Sequence, residues 1–356
     1  MRAVVLRGGE LEVVELDDPT PGPGQVLIAP HYTGICGSDL HLREVMTELA
    51  AAAPRAVPPI VPGHEFAGEV VEVGPDTDSR FRAGDLVTAN PFTMGTGGPE
   101  TIGLSPTRSG GLAELTVADA ARTVHLPDGL DTRLGALCEP VAVAVRALHR
   151  GATAGPIVVV GAGPIGLAIV AIAAIEQRHP IVVIEPSPSR RALAERLGAD
   201  AVHEPGTPIV DLLAEIGFAP STISPLLDDD PAAVSIIECV GRPAIVGSIL
   251  SEAPPHAHVV LAGACAHPVE MQPLELTTRE ITVDTSFAYR PTDFIAAANH
   301  LRSHTDRFAQ LITSERALGE TNAAFEALAN EPSEIKILIK PTNRHNVGKP
   351  TRHPHR

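Results

Sequence analysis

The stretch Val158-Val159-Val160-Gly161-Ala162-Gly163-Pro164-Ile165-Gly166 constrains the fold of this chain more than any other. An apolar run of strand length leads straight into a G-x-G-x-x-G, and an uncharged helical pattern follows. The first glycine permits a tight turn, the second lets the backbone approach a pyrophosphate, and the third lets the helix pack close to the strand. The helix N-terminus then presents free amides to the phosphates. A G-x-G-x-x-G by itself is weak, but here the next apolar run ends in Glu185. That is about 20 residues on, where an acid should accept a hydrogen bond from a ribose 2′-hydroxyl. The context points to a dinucleotide.

The surrounding sequence agrees with that reading. From residue 156 onward, strand and helix patterns alternate. Strands are expected over 157–160, 181–185, 234–239, 258–262 and 281–285, and helices over 164–176, 188–197 and 243–252. Ser187 stands at an N-cap position with Pro188 after it, and Gly198 stands where that helix should stop. This is a doubly wound parallel sheet, expected over residues 151–286. Residues 1–150 read differently, as short Val/Leu runs (3–6, 11–15, 25–30, 66–73, 85–89 and 112–117) broken by Pro and Gly clusters. Met46 to Ala53 is Ala-rich and predicts a short helix. The uncharged run 151–175 is long enough to imitate a membrane span, but Gly161, Gly163, Pro164 and Gly166 in its middle mark it as strand, turn and helix. Two stretches look structurally loose: the Pro- and Asp-rich 217–231, a surface excursion, and the basic tail 341–356.

Composition excludes several classes of partner. A net charge of −16 argues against nucleic acid or an anionic membrane. The four cysteines, Cys36, Cys138, Cys239 and Cys265, are widely spaced with no CxxC pair, so a disulfide framework is not expected. The opening Met1-Arg2-Ala3-Val4-Val5 does not read as a signal peptide, and the default expectation is a reducing cytoplasm.

A second constellation lies near the start: Gly34-Ile35-Cys36-Gly37-Ser38-Asp39-Leu40-His41, then Gly63-His64-Glu65. A thiolate, an imidazole and a carboxylate form a mixed donor set that suits Zn²⁺, and few protein ligands leave a position for substrate. Ser38 and His41 add a hydroxyl and an imidazole able to pass a proton. Cys-x-Ser-Asp-x-His followed by Gly-His-Glu resembles the catalytic-zinc signature of the zinc-dependent medium-chain alcohol dehydrogenases, in their sorbitol/threonine-dehydrogenase-like branch. The resemblance runs from the first strands to Lys336-Ile337-Leu338-Ile339-Lys340-Pro341.

That resemblance implies an α/β protein with a GroES-like β-rich catalytic domain over residues 1–150, to which residues 287–356 return, and a Rossmann domain over 151–286. It implies hydride transfer between a secondary alcohol and NAD, with zinc as the Lewis acid that lowers the pKa of the alcohol. Cys36 and His64 would be metal ligands, with Glu65 and Glu139 as further candidates that alternate on the metal. Glu139 resembles the position where other branches place a second cysteine; Cys138, one residue off, would pack beneath the site. Ser38 would accept the alcohol proton and pass it, through the cofactor ribose, to His41. Asp39 would fix the His64 tautomer. Gly161, Gly163, Pro164, Ile165, Gly166, Glu185 and Arg190 would form the cofactor site. Glu185 favours NAD by repelling a 2′-phosphate; Arg190 is a guanidinium that could pair with one, although in the sorbitol-dehydrogenase-like members an Arg at this offset accompanies NAD.

Many relatives carry a second, structural zinc on four cysteines in the lobe after Gly84-Asp85. This sequence opens that lobe with Asn90-Pro91-Phe92-Thr93-Met94 and has no cysteine there, so one zinc per subunit is expected. Ala288, in Ser286-Phe287-Ala288-Tyr289, stands where polyol-oxidising members have an Arg. With Phe92 and Met94, it suggests a moderately apolar secondary alcohol. The rival readings are a polyol, sugar or amino-alcohol dehydrogenase and, from another class, a non-catalytic nicotinamide-binding regulator. The strand 281–285 resembles the edge through which family members pair, implying a homodimer or homotetramer.

Overall fold

The computed structural model describes residues 1–53, 57–77, 79–95, 97–219 and 233–341. The chain divides into two compact units. One is Met1–Leu137 with the chain from Ser314 onward, and the other is Cys138–Thr313.

In the first unit, β1 (Arg2–Arg7) and β2 (Glu10–Glu15) form an antiparallel hairpin. β3 (Gln25–Gly34), β4 (Glu65–Val73) and β5 (Leu86–Ala89) are successive antiparallel neighbours in a larger sheet. β6 (Phe92–Gly95) and β7 (Gly98–Thr101) make a separate hairpin in the cysteine-free lobe. β8 (Thr116–Asp119) pairs with β3 and β9 (Thr123–His125) with β5. Val26, Ile28, Phe66, Val70 and Val87 alternate along these strands and pack into one buried cluster.

The Ala-rich segment is part of something longer than expected. A single helix runs Gly37–Ala52, so it begins inside the first metal-type string. Its start is fixed by Asp39, whose Oδ2 accepts the Cys36 backbone N–H at 2.9 Å. That bond satisfies one donor at the helix entrance and places the Cys36 side chain just ahead of the first turn.

The second unit is a six-stranded parallel sheet: β10 (Ile157–Val160), β11 (Ile181–Ile184), β12 (Ala201–His203), β13 (Ser235–Glu238), β14 (His258–Leu261) and β15 (Thr282–Thr285). Their spatial order is β12-β11-β10-β13-β14-β15, every pair parallel. The order reverses between β10 and β13, and in such sheets ligands bind at that switch point, beyond the strands' carboxyl ends. Every residue of β10 is buried, and the helix after it, Pro164–Ile175, is buried on all sides from Gly166 to Ala173. Those residues read as a membrane-like run because both faces of a parallel sheet are covered. No helix among the described residues is long and apolar enough to cross a membrane.

Gly198 ends the helix Pro188–Leu197 in the left-handed region, at φ 117°. Ser187 occupies the N-cap, yet its hydroxyl bonds Ser189 rather than a helix amide. β12 has no counterpart among the expected strands; it is three residues long, with none fully buried, and gives little hydrophobic signal.

The chain then returns through β16 (Ile312–Ala317) and β17 (Lys336–Lys340), which extend the first unit's sheet beside β3. The units meet the sequence at 137/138 and 313/314, against expected limits near 150 and 286. The difference has a packing cause. The helix Cys138–Leu148 lies against both Pro164–Ile175 and Pro291–Ser303, which draws the flanking helices into the second unit. Most of the expected excursion 217–231 and the tail from 342 onward lie outside the described residues.

Candidate metal centre and dinucleotide site

Cys36 precedes the helix Gly37–Ala52, and His64 and Glu65 lie at the start of β4, which pairs with β3 beside it. The fold therefore brings the two strings together. One Cys36 sulfur, one His64 nitrogen and one Glu65 oxygen all lie within 4.8 Å of one another. A four-coordinate Zn²⁺ with bonds of about 2.0–2.3 Å needs only small shifts to close such a set. Cys36 is half-buried, while His64 and Glu65 are buried.

The surroundings of His64 also fit a metal. Its Nε2 lies 3.2 Å from the Ser38 hydroxyl, and its Nδ1 faces Asp39 Oδ1 at 3.4 Å. Nδ1 and Oδ1 are both buried without a good hydrogen bond, so this pair is a charge contact. A metal on Nε2 leaves the proton on Nδ1, where the Asp39 carboxylate can accept it. Burial works against a charged ring here, but Asp39 and the Cys36 sulfur outweigh it and hold the His64 pKa well above its usual value.

Glu65 has a partner that the sequence reading missed. Both of its oxygens accept from Lys336 Nζ, at 2.6 and 2.7 Å, and the same ammonium donates to the Ile35 carbonyl at 2.9 Å. A lysine inside the apolar run Ile335-Lys336-Ile337-Leu338-Ile339 was the available signal.

The remaining expected residues sit on helices of the two units. His41 is in the first turn of the same helix, exposed, with Glu44 at 3.6 Å. Glu139 is buried in the first turn of Cys138–Leu148, the helix that opens the second unit. Cys138 is fully buried, and burial pushes its thiol pKa far up. In the cysteine-free lobe, Arg108 bonds Glu100 at 2.8 Å and lies 4.0 Å from Asp119. Thr93 bonds the same Asp119. A hairpin and an ion-pair network thus occupy this cysteine-free segment.

In the second unit, a cavity of about 590 Å³ opens at the carboxyl ends of the strands around the switch point. Gly161, Gly163, Glu185 and Arg190 line it, along with Pro205, Val240 and Arg242 from neighbouring loops; Pro164, Ile165 and Gly166 are not among its lining residues. Gly161 has φ +97°, and a Cβ on Gly166 would come closer than 3.0 Å to the Gly161 carbonyl. Both glycines are required by the turn itself. Glu185 is buried with one oxygen accepting the Ala162 amide at 2.8 Å and the other the Ser187 amide at 2.9 Å. The acid therefore braces the glycine turn while facing the cavity. Each carboxylate oxygen keeps a second lone pair for a ligand hydroxyl.

Comparison with known proteins places this arrangement. Residues 22–128 match the alcohol dehydrogenase GroES-like domain, and residues 164–303 match the zinc-binding dehydrogenase family. A sorbitol dehydrogenase from Halalkalibacterium halodurans is 30% identical over 94% of this chain and 96% of its own. The crystal structure of 2R,3R-butanediol dehydrogenase from Bacillus subtilis superposes with a TM-score of 0.79 at 27% identity, over 96% of this chain and 99% of that one. A Sinorhizobium meliloti protein solved with NADP bound matches with a TM-score of 0.77 at 26% identity, over 96% and 99% of the two chains. The chain belongs to the zinc-type medium-chain dehydrogenase/reductase family.

Proposed function

We propose that this protein interconverts a secondary alcohol and its ketone, with NAD(H) as hydride carrier and one zinc ion bound by Cys36, His64 and further carboxylate or solvent ligands. The observation that carries the reading is the convergence of Cys36, His64 and Glu65, with Asp39 behind His64. When bound, zinc would polarise the substrate oxygen and the nicotinamide would take or give the hydride. The chain's own residues supply the rest. Cys36 and His64 hold the metal, Asp39 fixes the His64 ring, and Ser38 is a hydroxyl beside the donor set able to take the alcohol proton. His41, three residues further along the same helix and exposed, hands that proton to solvent. Glu65 and Glu139 are the two carboxylate candidates for the metal.

Glu185 supports NAD. Its buried carboxylate can accept from a free 2′-hydroxyl, and a 2′-phosphate would meet a like charge. The fold itself accepts either cofactor, as the NADP-bound neighbour illustrates. Ala288 brings no polar donor, which favours a moderately apolar alcohol. The sorbitol and butanediol dehydrogenases among the relatives favour a diol or polyol as the second reading. A reducing cytoplasm suits the four cysteines, none of which is in a disulfide. A homodimer or homotetramer would use β15, an edge strand with Thr282, Val283 and Thr285 exposed.

The test is an oxidation panel (2-butanol, cyclohexanol, 2,3-butanediol, sorbitol and threonine) with NAD⁺ and NADP⁺, with metal content measured on the same preparation. The reading expects one zinc per chain and turnover of a secondary alcohol with NAD⁺ preferred. NADH binding with no turnover of any alcohol would favour the non-catalytic alternative. A preference for NADP⁺ would overturn the argument from Glu185.

A further inference from the structure

We propose that Lys336 is a positioning residue that holds Glu65 away from the metal and thereby sets how firmly the metal is retained. The inference rests on the zinc reading above. Lys336 is one of only three lysines in the sequence, and it is 2% exposed. An ammonium has three N–H donors, and acceptors here include both Glu65 oxygens and the carbonyl of Ile35, the residue before Cys36. Glu65 is fully buried, so this pairing neutralises its charge out of reach of solvent. Yet a Glu65 oxygen also lies within 4.8 Å of the Cys36 and His64 donor atoms.

Glu65 thus stands between two cations, Lys336 and the metal, and a fixed carboxylate cannot satisfy both fully. With Lys336 in place, its charge is already matched. The metal then meets Cys36 and His64 with a coordination position left for other ligands. The Ile35 bond adds a second constraint, because it ties the same ammonium to the loop that carries Cys36. Gly34 keeps this corner tight, since a Cβ there would collide with Glu65 Oε2. Remove the ammonium, and Glu65 becomes a buried anion whose nearest available counter-charge is the metal itself.

The prediction therefore has a counter-intuitive sign: loss of a buried cation makes the protein hold zinc more tightly. Zinc-loaded full-length wild type, Lys336→Met, Lys336→Arg and the double variant Lys336→Met/Glu65→Gln are compared. The measured quantity is the rate of zinc transfer to a chromogenic chelator, alongside the rise in Tm on adding zinc to the metal-free protein. Outer partners of metal ligands shift affinity roughly 10- to 100-fold, and a slowing of that size is expected for Lys336→Met, with a larger zinc-induced rise in Tm. Lys336→Arg should release zinc like the wild type, and the double variant should lose the slowing. If Lys336→Met is insoluble, Lys336→Gln takes its place; it is neutral but still able to donate to Glu65. Zinc release at the wild-type rate or faster in the neutral variants overturns the proposal, as does slow release that persists without Glu65. A wild type that binds no zinc overturns the zinc reading and this inference together, whereas one tightly held zinc indifferent to residue 336 overturns the inference alone.

Discussion

Replacing Gly163 by alanine separates the stability of the glycine turn from its binding role. Gly163 has φ −74° and ψ −175°, a conformation any residue adopts, and no atom lies within 4 Å of the Cβ it lacks. The free protein should therefore accept Gly163→Ala without strain, and even gain about 0.4–1 kcal/mol from the less disordered unfolded chain. The same empty space lies at the N-terminus of the helix Pro164–Ile175, whose first amides have no partner within the helix. A methyl group there keeps a phosphate from closing onto those amides. Losing one hydrogen bond to a charged group costs about 1.5–3 kcal/mol, which is roughly a 10- to 100-fold rise in Kd. Gly166→Ala is the contrasting variant. Its Cβ would come under 3.0 Å from the Gly161 carbonyl, so backbone must move. Overpacking of that kind costs about 1–3 kcal/mol of stability. Thermal unfolding without cofactor and NADH titration by fluorescence, on both variants, give the two readouts. Gly163→Ala should keep its Tm and lose NADH affinity, and Gly166→Ala should lose both. A Gly163→Ala protein that binds NADH as tightly as wild type would refute the placement of the pyrophosphate on this turn.

Two further outcomes follow from buried or half-buried acids. Glu185→Gln leaves one of the Ala162 and Ser187 amides without an acceptor, costing about 1–3 kcal/mol, and it removes the charge that opposes a 2′-phosphate. The ratio of kcat/KM for NADP⁺ over NAD⁺ should rise roughly tenfold or more, and an unchanged ratio would show that residue 185 does not sense the ribose. In the second unit, Glu176 accepts from His149 at 2.9 and 3.1 Å, and that hydrogen bond raises the His149 pKa above 6.5. Burial would raise Glu176, but His149 outweighs it and brings the carboxyl below 4.5. His300 faces the same carboxylate at 3.7 Å, and burial lowers its pKa. A raised histidine stabilises below its ordinary pKa of 6.5 and loses that contribution as pH climbs through the folded value. The lowered Glu176 contributes above 4.5 and loses its share on acidification. The Tm gap between wild type and His149→Gln should be widest below the ordinary histidine pKa and narrow as pH climbs through the raised His149 value; a gap that ignores pH would show that the pair is only a packing contact.

Much of this was visible in the residues themselves, for identifiable reasons. β10 and the turn after it were legible because both faces of a parallel strand are buried and the turn admits only glycine at φ +97°. Cys36, Asp39 and His64 were legible because their chemistry is distinctive and their spacing is local within each string. The full helix Gly37–Ala52 was not, since its entrance is set by the hydrogen bond from the Cys36 amide to Asp39 rather than by an ordinary Ser or Thr cap. β12 escaped because three half-buried residues give no periodic signal. Lys336 escaped because its partner lies 271 residues away, and no local pattern encodes such a pairing. The limits of the two units shifted for a related reason: the packing of Cys138–Leu148 against Pro291–Ser303 is a tertiary fact.

That separation of 271 residues between Lys336 and Glu65 also bears on how the protein is made. On a ribosome, Cys36, His64 and Glu65 emerge long before β17 does. Until β17 is released and pairs with β3, the Glu65 carboxylate has no ammonium beside it, and burying it unpaired would be costly. The amino-terminal unit therefore cannot reach its finished interior before β17 is available, although the parallel sheet of the second unit is complete in sequence by then. The portion translated first thus depends on one of the last strands in the sequence. A chain that stops short of residue 336 lacks the ammonium that pairs with Glu65, so the finishing of this corner waits on β17 rather than on the glycine turn or the histidine.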